Sequence, residues 1–174
     1  MQVKSSLLGS LDLSGTGSCA AFNFRRTARA VTRLFDLALE PSGIRSTQFA
    51  ILTAVAKFQP VSISRIGDIL VLDPTTLTRS LRLLHKQGLL EISPRSTRRH
   101  RFISLTDEGA KSLALAIPLW RKVQAEFLGL PGGEAWQGLR DELERLSKLA
   151  LDLESAALNS KSTTTNGPAE PGKI

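Results

Sequence analysis

Apolar residues recur at three- and four-residue steps through most of the chain, a spacing that predicts amphipathic helices and a mainly α fold. The first two helices are predicted over residues 20–39 and 47–58, and each ends shortly before a proline. A shorter third helix is predicted to begin at Ser62 or Ser64, since either side chain can cap it, and to end at Leu70.

The fourth predicted helix has the clearest start, because Asp73 can accept hydrogen bonds from the first backbone N–H groups and Pro74 suits the first helical position. Gly88 is a suitable C′ residue and predicts where this helix ends. Its buried stripe consists of Leu77, Leu81 and Leu84. Its outward face has no acidic residue and carries Thr75, Thr76, Thr78, Arg79, Arg82 and Lys86. Ordinary solvated helices mix charges of both signs, so this face is unusual for a purely structural helix.

Two short apolar stretches, 89–92 and 101–105, predict β-strands, and the polar segment 93–100 between them predicts a hairpin loop. This loop carries several cations and no acid. Thr106 is predicted to cap the next helix, because the two acids after it suit the positive end of the helix dipole.

The C-terminal part of the chain is predicted to be helical as well. The helix after Thr106 is expected to run towards Leu128 with a kink at Pro118. A glycine-rich break then separates it from a last amphipathic helix over residues 134–157. The two ends of the chain, residues 1–18 and 159–174, have no apolar period and are expected to be disordered.

Positive charge is concentrated in the middle of the chain. The net charge of +7 and the pI near 10.2 favour a polyanionic partner, either nucleic acid or an acidic membrane surface. Between Arg79 and Arg101, seven basic residues stand against one acidic residue, a net of +6 in 23 residues. Between Asp107 and Glu154, by contrast, nine acidic residues outnumber six basic ones. This asymmetry predicts separate roles for the basic middle and the mildly acidic C-terminal third.

Composition also argues against several classes. One cysteine and two histidines cannot form an internal disulfide or the usual structural zinc site, and we expect neither a metal nor a cofactor. No apolar run approaches the ~20 residues of a membrane span, and the N-terminus lacks a signal-peptide pattern, so we expect a cytoplasmic protein with no membrane partner. No phosphate-binding glycine loop or catalytic triad spacing is present, which argues against an enzyme.

A short helix, a tight turn, an Asp-capped helix with an Arg/Thr face and a cationic hairpin, in that order, form the layout of a winged helix-turn-helix domain. Arginine can pair with guanine, threonine can contact base edges or a thymine methyl, and arginines of the hairpin can contact phosphates or the adjacent minor groove. The predicted fold is therefore mainly α with a small β-wing, and the predicted partner is double-stranded DNA.

Residues 43–109 resemble the MarR family of bacterial transcriptional regulators, through GIRSTQFAILTAV, PVSISRIGDILVLDPTTLTRSLRLLHKQGLLE and RRHRFISLTDEG. The leading helix FNFRRTARAVTRLFD and the two trailing helices also lie where that family places them. The resemblance implies a homodimer in which residues 19–42 and 107–158 form a helical dimerisation domain and residues 43–106 form a winged helix-turn-helix domain. Each subunit is then expected to bind half of a palindromic operator, as a repressor.

The resemblance also implies a set of DNA-binding residues, namely Ser64, Pro74, Thr75, Thr76, Thr78, Arg79, Arg82, Arg95, Arg98 and Arg99. Within the recognition helix, 74–87, the threonines and Arg79 are expected to read bases and Arg82 to contact the DNA backbone. Thr97 stands where the family usually has an aspartate that holds the wing, and Val71 replaces a glycine common in the turn.

Members of the family often change their DNA affinity when a small aromatic or phenolic molecule binds between the dimer helices and the winged helix. The resemblance implies that such an effector would contact Phe24, Arg25, Phe49 and Trp120, and the alternative is that these side chains are core or dimer contacts. Cys19 lies near the sensing cysteine of a peroxide-responsive branch, although aligning residues 22–24 with that branch places Ala21 at the sensing position.

The expected function is therefore that of a sequence-specific transcriptional regulator that responds to a ligand. Two alternatives stay open on the same residues: a sequence-tolerant architectural DNA-binding protein, and a regulator that senses oxidation through Cys19. A third alternative is a protein-interaction module that uses the terminal helices. The two DNA-binding classes differ in how strongly affinity depends on DNA sequence, and the interaction module would show no salt-dependent DNA binding.

Overall fold

The computed structural model describes residues 9–93, 101–129 and 133–164. Its helices and strands are, in chain order, α1 (Ala20–Leu39), α2 (Ser46–Phe58), β1 (Val61–Ser62), α3 (Ile63–Leu70), α4 (Pro74–Lys86), β2 (Leu90–Ile92), β3 (Phe102–Leu105), α5 (Asp107–Gly129) and α6 (Gly133–Thr164). Single turns of 3-10 helix, Thr16–Ser18 and Glu40–Ser42, lie before and after α1. The described residues are thus mainly helical with one small sheet, which confirms the predicted fold class.

The chain divides into two compact units, one that ends at Val123 and one that begins at Gln124. The first unit contains α1 to α4, the sheet and most of α5. The second contains the end of α5 and the long helix α6, whose exposed apolar residues include Leu139, Leu149, Leu151, Leu153 and Leu158. In the described residues, no helix is long and apolar enough to cross a membrane.

The sheet has the strand order β1-β3-β2, with both pairs antiparallel. Val61 lies opposite Ile103 in one pair, and Leu90 lies opposite Leu105 in the other. The sequence pattern predicts β2 and β3, but it does not predict β1. A two-residue strand is too short to show the alternation that identifies a strand, and β1 forms only because β3 offers it an edge.

Buried side chains from α1 to α5 and from the sheet form the core of the first unit. The largest fully buried ones are Leu39, Ile51, Leu52, Val55, Ile66, Leu81, Leu84, Leu90 and Ile103. Each helix contributes residues at three- or four-residue steps, so the apolar stripes of the sequence become the contact surfaces between helices. This core holds α4 by its inward leucines and leaves the opposite face of α4 in solvent.

Several element boundaries differ from the predicted ones. The helix α6 extends to Thr164, so residues 159–164, predicted to be disordered, are helical. Once a helix is formed, adding another residue costs little, and weak helix formers such as serine and threonine can extend it. The 3-10 turn Thr16–Ser18 likewise falls inside a segment predicted to be disordered. Pro118 lies inside α5, which continues past it.

The start of α5 packs tightly against the end of α4 and the start of β2. The Thr106 hydroxyl donates to the Gly88 carbonyl at 2.6 Å and accepts from the Gly109 backbone N–H at 2.9 Å, which confirms its predicted capping role. A Cβ atom added to Gly109 would lie 2.0 Å from the Leu89 carbonyl oxygen, so only glycine fits at this position. This contact places α5 directly against the winged helix-turn-helix segment.

Candidate nucleic-acid interface

The N-terminus of α4 is capped as the sequence predicts. One carboxylate oxygen of Asp73 accepts hydrogen bonds from the backbone N–H groups of Thr75 at 3.0 Å and Thr76 at 2.9 Å. Hydrogen bonds from the hydroxyl and the backbone of Thr76 lower the pKa of Asp73 below its usual range. The carboxylate therefore stays charged at neutral pH and holds the first turn of α4 in place.

One face of α4 is apolar and buried, and the opposite face is polar and exposed. Leu77, Leu81 and Leu84 are buried in the core. The opposite face is exposed and lines an open surface cavity of about 560 Å³, whose residues are Pro74, Thr75, Thr78, Arg79 and Arg82. In the described part of the chain, no carboxylate lies within ion-pair distance of Arg79 or Arg82. Both guanidinium groups are thus available to an external anion.

The helix α3 and the turn after it lead directly into α4. The Ser62 hydroxyl accepts a hydrogen bond from the Arg65 backbone N–H at 3.2 Å, so Ser62 is the N-cap of α3 and Ser64 lies exposed in its first turn. Val71 ends α3 with a left-handed backbone, φ 51° and ψ 47°. This conformation is strained for a β-branched residue, which agrees with the glycine expected there.

The base of the β-wing is closed by two hydrogen bonds between Ser93 and Phe102. The Ser93 N–H donates to the Phe102 carbonyl at 2.9 Å, and the Phe102 N–H donates to the Ser93 hydroxyl at 3.1 Å. Arg101 is exposed immediately before β3, at the base of the wing, and the predicted site omits it. The predicted wing residues Arg95, Thr97, Arg98 and Arg99 lie outside the described residues.

Two of the four predicted effector residues are brought together. The rings of Phe49 on α2 and Trp120 on α5 stack with their centroids 5.8 Å apart and 25° between their planes, half-buried against the core. Phe24 and Arg25 are exposed on the first turns of α1.

Cys19 is also exposed, at the N-cap position of α1. Among the described residues, no group of His, Cys, Asp and Glu could hold a metal ion.

The structure also identifies a buried hydrogen-bonded pair that the sequence pattern does not indicate. Gln48 on α2 is buried, and its side-chain amide hydrogen-bonds to the side chain of Gln87, 39 positions further along the chain. No local pattern connects two glutamines so far apart, so only the three-dimensional arrangement identifies the pair.

These elements define the class of the protein: α3, the turn at Val71 and α4 form a helix-turn-helix, and the sheet of β1, β3 and β2 adds the wing. A model of the MarR family matches residues 42–100. The transcriptional regulator MosR of Mycobacterium tuberculosis, crystallised with DNA, is 33% identical, with a TM-score of 0.71, and the match covers 78% of this chain and 98% of MosR. The chain belongs to the MarR family.

Other comparisons agree with this assignment. The transcriptional regulator HosA of Escherichia coli O111:H- is 37% identical over 89 residues, a match that covers 50% of this chain and 65% of HosA. The match thus leaves about a third of that relative uncovered. A mutant MarR from Escherichia coli, crystallised with operator DNA, has a TM-score of 0.68 at 21% identity and covers 78% of this chain and 99% of its own. At that identity the likeness concerns the fold.

Proposed function

We propose that the protein is a transcriptional regulator that binds a specific sequence of double-stranded DNA by placing α4 in the major groove. The observation that carries this proposal is the exposed Thr/Arg face of α4, whose arginines have no carboxylate within ion-pair distance in the described chain. Arg79 is the residue best suited to pair with guanine, and Arg82 is suited to a phosphate. MosR, the 33% identical relative, was crystallised with DNA, which supports the same partner here.

The proposed binding species is a homodimer on a palindromic operator. Several leucines of α6 are exposed to water in the single chain, and a second copy of the chain would cover them. Two recognition helices related by a two-fold axis then meet two half-sites about 34–36 Å apart. A dimer that occupies an operator excludes other proteins from it, and for this reason we propose that the regulator acts as a repressor.

Selection of bound sequences from random DNA tests the proposal. We expect a palindrome whose half-sites lie about one helical turn apart. Replacing Arg79 with alanine should weaken binding to that palindrome by ~1–3 kcal/mol and much less to random DNA. Arg82→Ala serves as the matched control, because loss of a phosphate contact weakens both to the same extent. Enrichment of no sequence, or equal losses for Arg79→Ala on both DNAs, would favour a sequence-tolerant architectural protein.

We further propose that a small aromatic or phenolic molecule releases the protein from DNA. The stack of Phe49 on Trp120 supports this proposal, because it joins α2 to α5 and offers a flat aromatic molecule a surface on which to stack. Screening aromatic carboxylates and phenols for loss of operator binding is the test. We expect Trp120→Leu to abolish release by an active compound while operator binding without the compound persists, and an unchanged response would place the effector elsewhere.

Oxidation of Cys19 is the alternative trigger. The thiol is free and exposed at the N-cap position of α1, where an oxidant in solution can reach it. Hydroperoxide treatment of the wild type and of Cys19→Ala, followed by operator titration, separates the two triggers. Equal behaviour of the two proteins would exclude sensing through this residue.

A further inference from the structure

One buried side chain connects the end of α4 to the start of α2. Gln48 is 9% exposed, and both ends of its amide are used. Its oxygen accepts a hydrogen bond from the Arg45 backbone N–H at 2.9 Å, and its nitrogen donates to the side-chain oxygen of Gln87 at 2.9 Å. Because Gln87 is the C-cap residue of α4, this chain of hydrogen bonds ties the last turn of α4 to the first turn of α2.

Packing leaves this end of α4 partly open on the side that faces α2. A cavity of about 430 Å³ opens beside the Gln48–Gln87 hydrogen bond, and its walls include Thr47 and Ile51 of α2 and Ser80 and Leu83 of α4. Leu83 is 50% exposed, so this side of α4 is not filled by apolar contacts. The buried leucines on the other side hold α4 against the core, but apolar contacts are not directional and tolerate small rotations. A hydrogen bond has a preferred direction and resists such rotations.

The N-terminal end of α4 has its own fixed point, the Asp73 cap. With Gln87 held by Gln48, the helix is anchored at both ends by hydrogen bonds that depend on direction. Rotation about the helix axis would change where Thr78 and Arg79 point, while the backbone of α4 would stay near the same surface. The exposed basic face would remain available to phosphates after such a rotation, because phosphate contacts require less exact placement than base contacts.

We propose that Gln48 is a positioning residue that sets the rotation of α4, and thereby the discrimination between DNA sequences rather than the general affinity for DNA. This inference rests on the proposed function of α4 in reading bases. It assigns a role to a side chain that does not itself reach the DNA-facing surface, since Gln48 is buried and acts through Gln87.

Four variants distinguish the effect of losing the Gln48–Gln87 hydrogen bond from the effect of changing either side chain. Gln87→Met removes the bond at an exposed position, so the protein is expected to fold. Gln87→Glu keeps the bond, because the Gln48 nitrogen can donate to a carboxylate. Gln48→Glu also keeps it, since the Gln87 amide can turn and donate, and a glutamate at this third position of α2 is favourable. The double variant Gln48→Glu/Gln87→Glu removes it, because two carboxylates face each other without a donor.

The first measurement is amide hydrogen exchange of the free protein. In Gln87→Met and in the double variant, we expect exchange in the last turn of α4 to rise about 3- to 10-fold, the factor that corresponds to the net contribution of one hydrogen bond. The two single glutamate variants should stay within about twofold of the wild type, and the first turn of α4 should be unchanged in all four. Unchanged exchange in Gln87→Met would overturn the inference, whatever the protein does with DNA.

The second measurement is the ratio of the dissociation constants for random DNA and for the selected operator. The ratio cancels the general effect of an added negative charge on DNA affinity, so all four variants can be compared. We expect it to fall about 3- to 10-fold in Gln87→Met and in the double variant and to be retained in the two single glutamate variants. Faster exchange with an unchanged ratio would reduce Gln48 to a structural role and overturn the inference. A wild type that binds all sequences equally would instead overturn the proposed function, and the exchange data would still decide whether Gln48 holds the end of α4.

Discussion

Gly109 is the position at which one added methyl group should disturb the described fold most. An alanine Cβ there would lie 2.0 Å from the Leu89 carbonyl oxygen and 3.0 Å from the carbonyl carbon, whereas real Cβ atoms essentially never approach closer than 3.0 Å. The first turn of α5 and the backbone of Leu89 must therefore separate by about 1 Å, which is the difference between the 2.0 Å approach to the Leu89 oxygen and the 3.0 Å minimum. That movement also stretches the hydrogen bond from the Thr106 hydroxyl to the Gly88 carbonyl.

The cost of Gly109→Ala follows from these contacts. Overpacking of this kind typically costs ~1–3 kcal/mol, and a weakened hydrogen bond adds ~1 kcal/mol. The higher helix propensity of alanine returns ~1 kcal/mol, so we expect a net loss of ~1–3 kcal/mol in the free energy of unfolding. Urea denaturation followed by far-UV circular dichroism measures it. The control is Gly138→Ala in α6, where no atom lies within 4 Å of the new Cβ and where we expect a gain of ~0.5–1 kcal/mol. A Gly109→Ala protein as stable as the wild type would refute the reasoning.

Three further predictions concern the helix-turn-helix and the wing. Because Val71 has a left-handed backbone, Val71→Gly should be more stable than Val71→Ala by ~1 kcal/mol. Ala114 on the exposed face of α5 is the control, since there glycine should be less stable than alanine. Urea titrations that give equal stabilities for Val71→Gly and Val71→Ala would contradict the prediction. The pKa of Asp73 is lower in the folded than in the unfolded protein, so wild type should be more stable than Asp73→Asn at neutral pH, and the difference should shrink as the pH falls below the ordinary value of 3.8. A difference independent of pH would argue against the Asp73 cap. In the wing, Arg98→Ala and Arg99→Ala should each reduce the slope of log affinity against log salt concentration by ~1, and an unchanged slope would mean that neither contacts phosphate.

Much of the fold could be predicted from local chemistry. The Asp73-Pro74 start, the leucine stripe of α4 and the left-handed Gly88 depend on residues close together in the chain, and the structure confirms each of them. The strand β1 could not be predicted, because it exists only through its pairing with β3. The extension of α6 past residue 158 also escaped prediction, since that segment has no apolar period to mark it.

The candidate site likewise contains one part that the sequence predicts and other parts that only the three-dimensional structure shows. The exposed face of α4 follows from helical spacing, so its threonines and arginines could be named from the sequence. The hydrogen bond between Gln48 and Gln87 spans 39 positions, and neither residue belongs to a pattern that indicates the other. The stack of Phe49 on Trp120 joins two helices that are distant in sequence, and the resemblance, rather than the spacing, suggested that the two rings belong together.

The hydroxyl of Thr78 donates its hydrogen to the Pro74 carbonyl one turn earlier in α4, at 2.7 Å. Because the hydroxyl proton is used in this hydrogen bond within the helix, the Thr78 side chain can offer DNA only an acceptor oxygen and a methyl group. Guanine presents only acceptors in the major groove, whereas adenine and cytosine present amino hydrogens and thymine presents a methyl group. The hydrogen bond to the backbone of α4 thus limits the bases that Thr78 can contact: on the proposed function, Thr78 should contact an adenine, a cytosine or a thymine rather than a guanine.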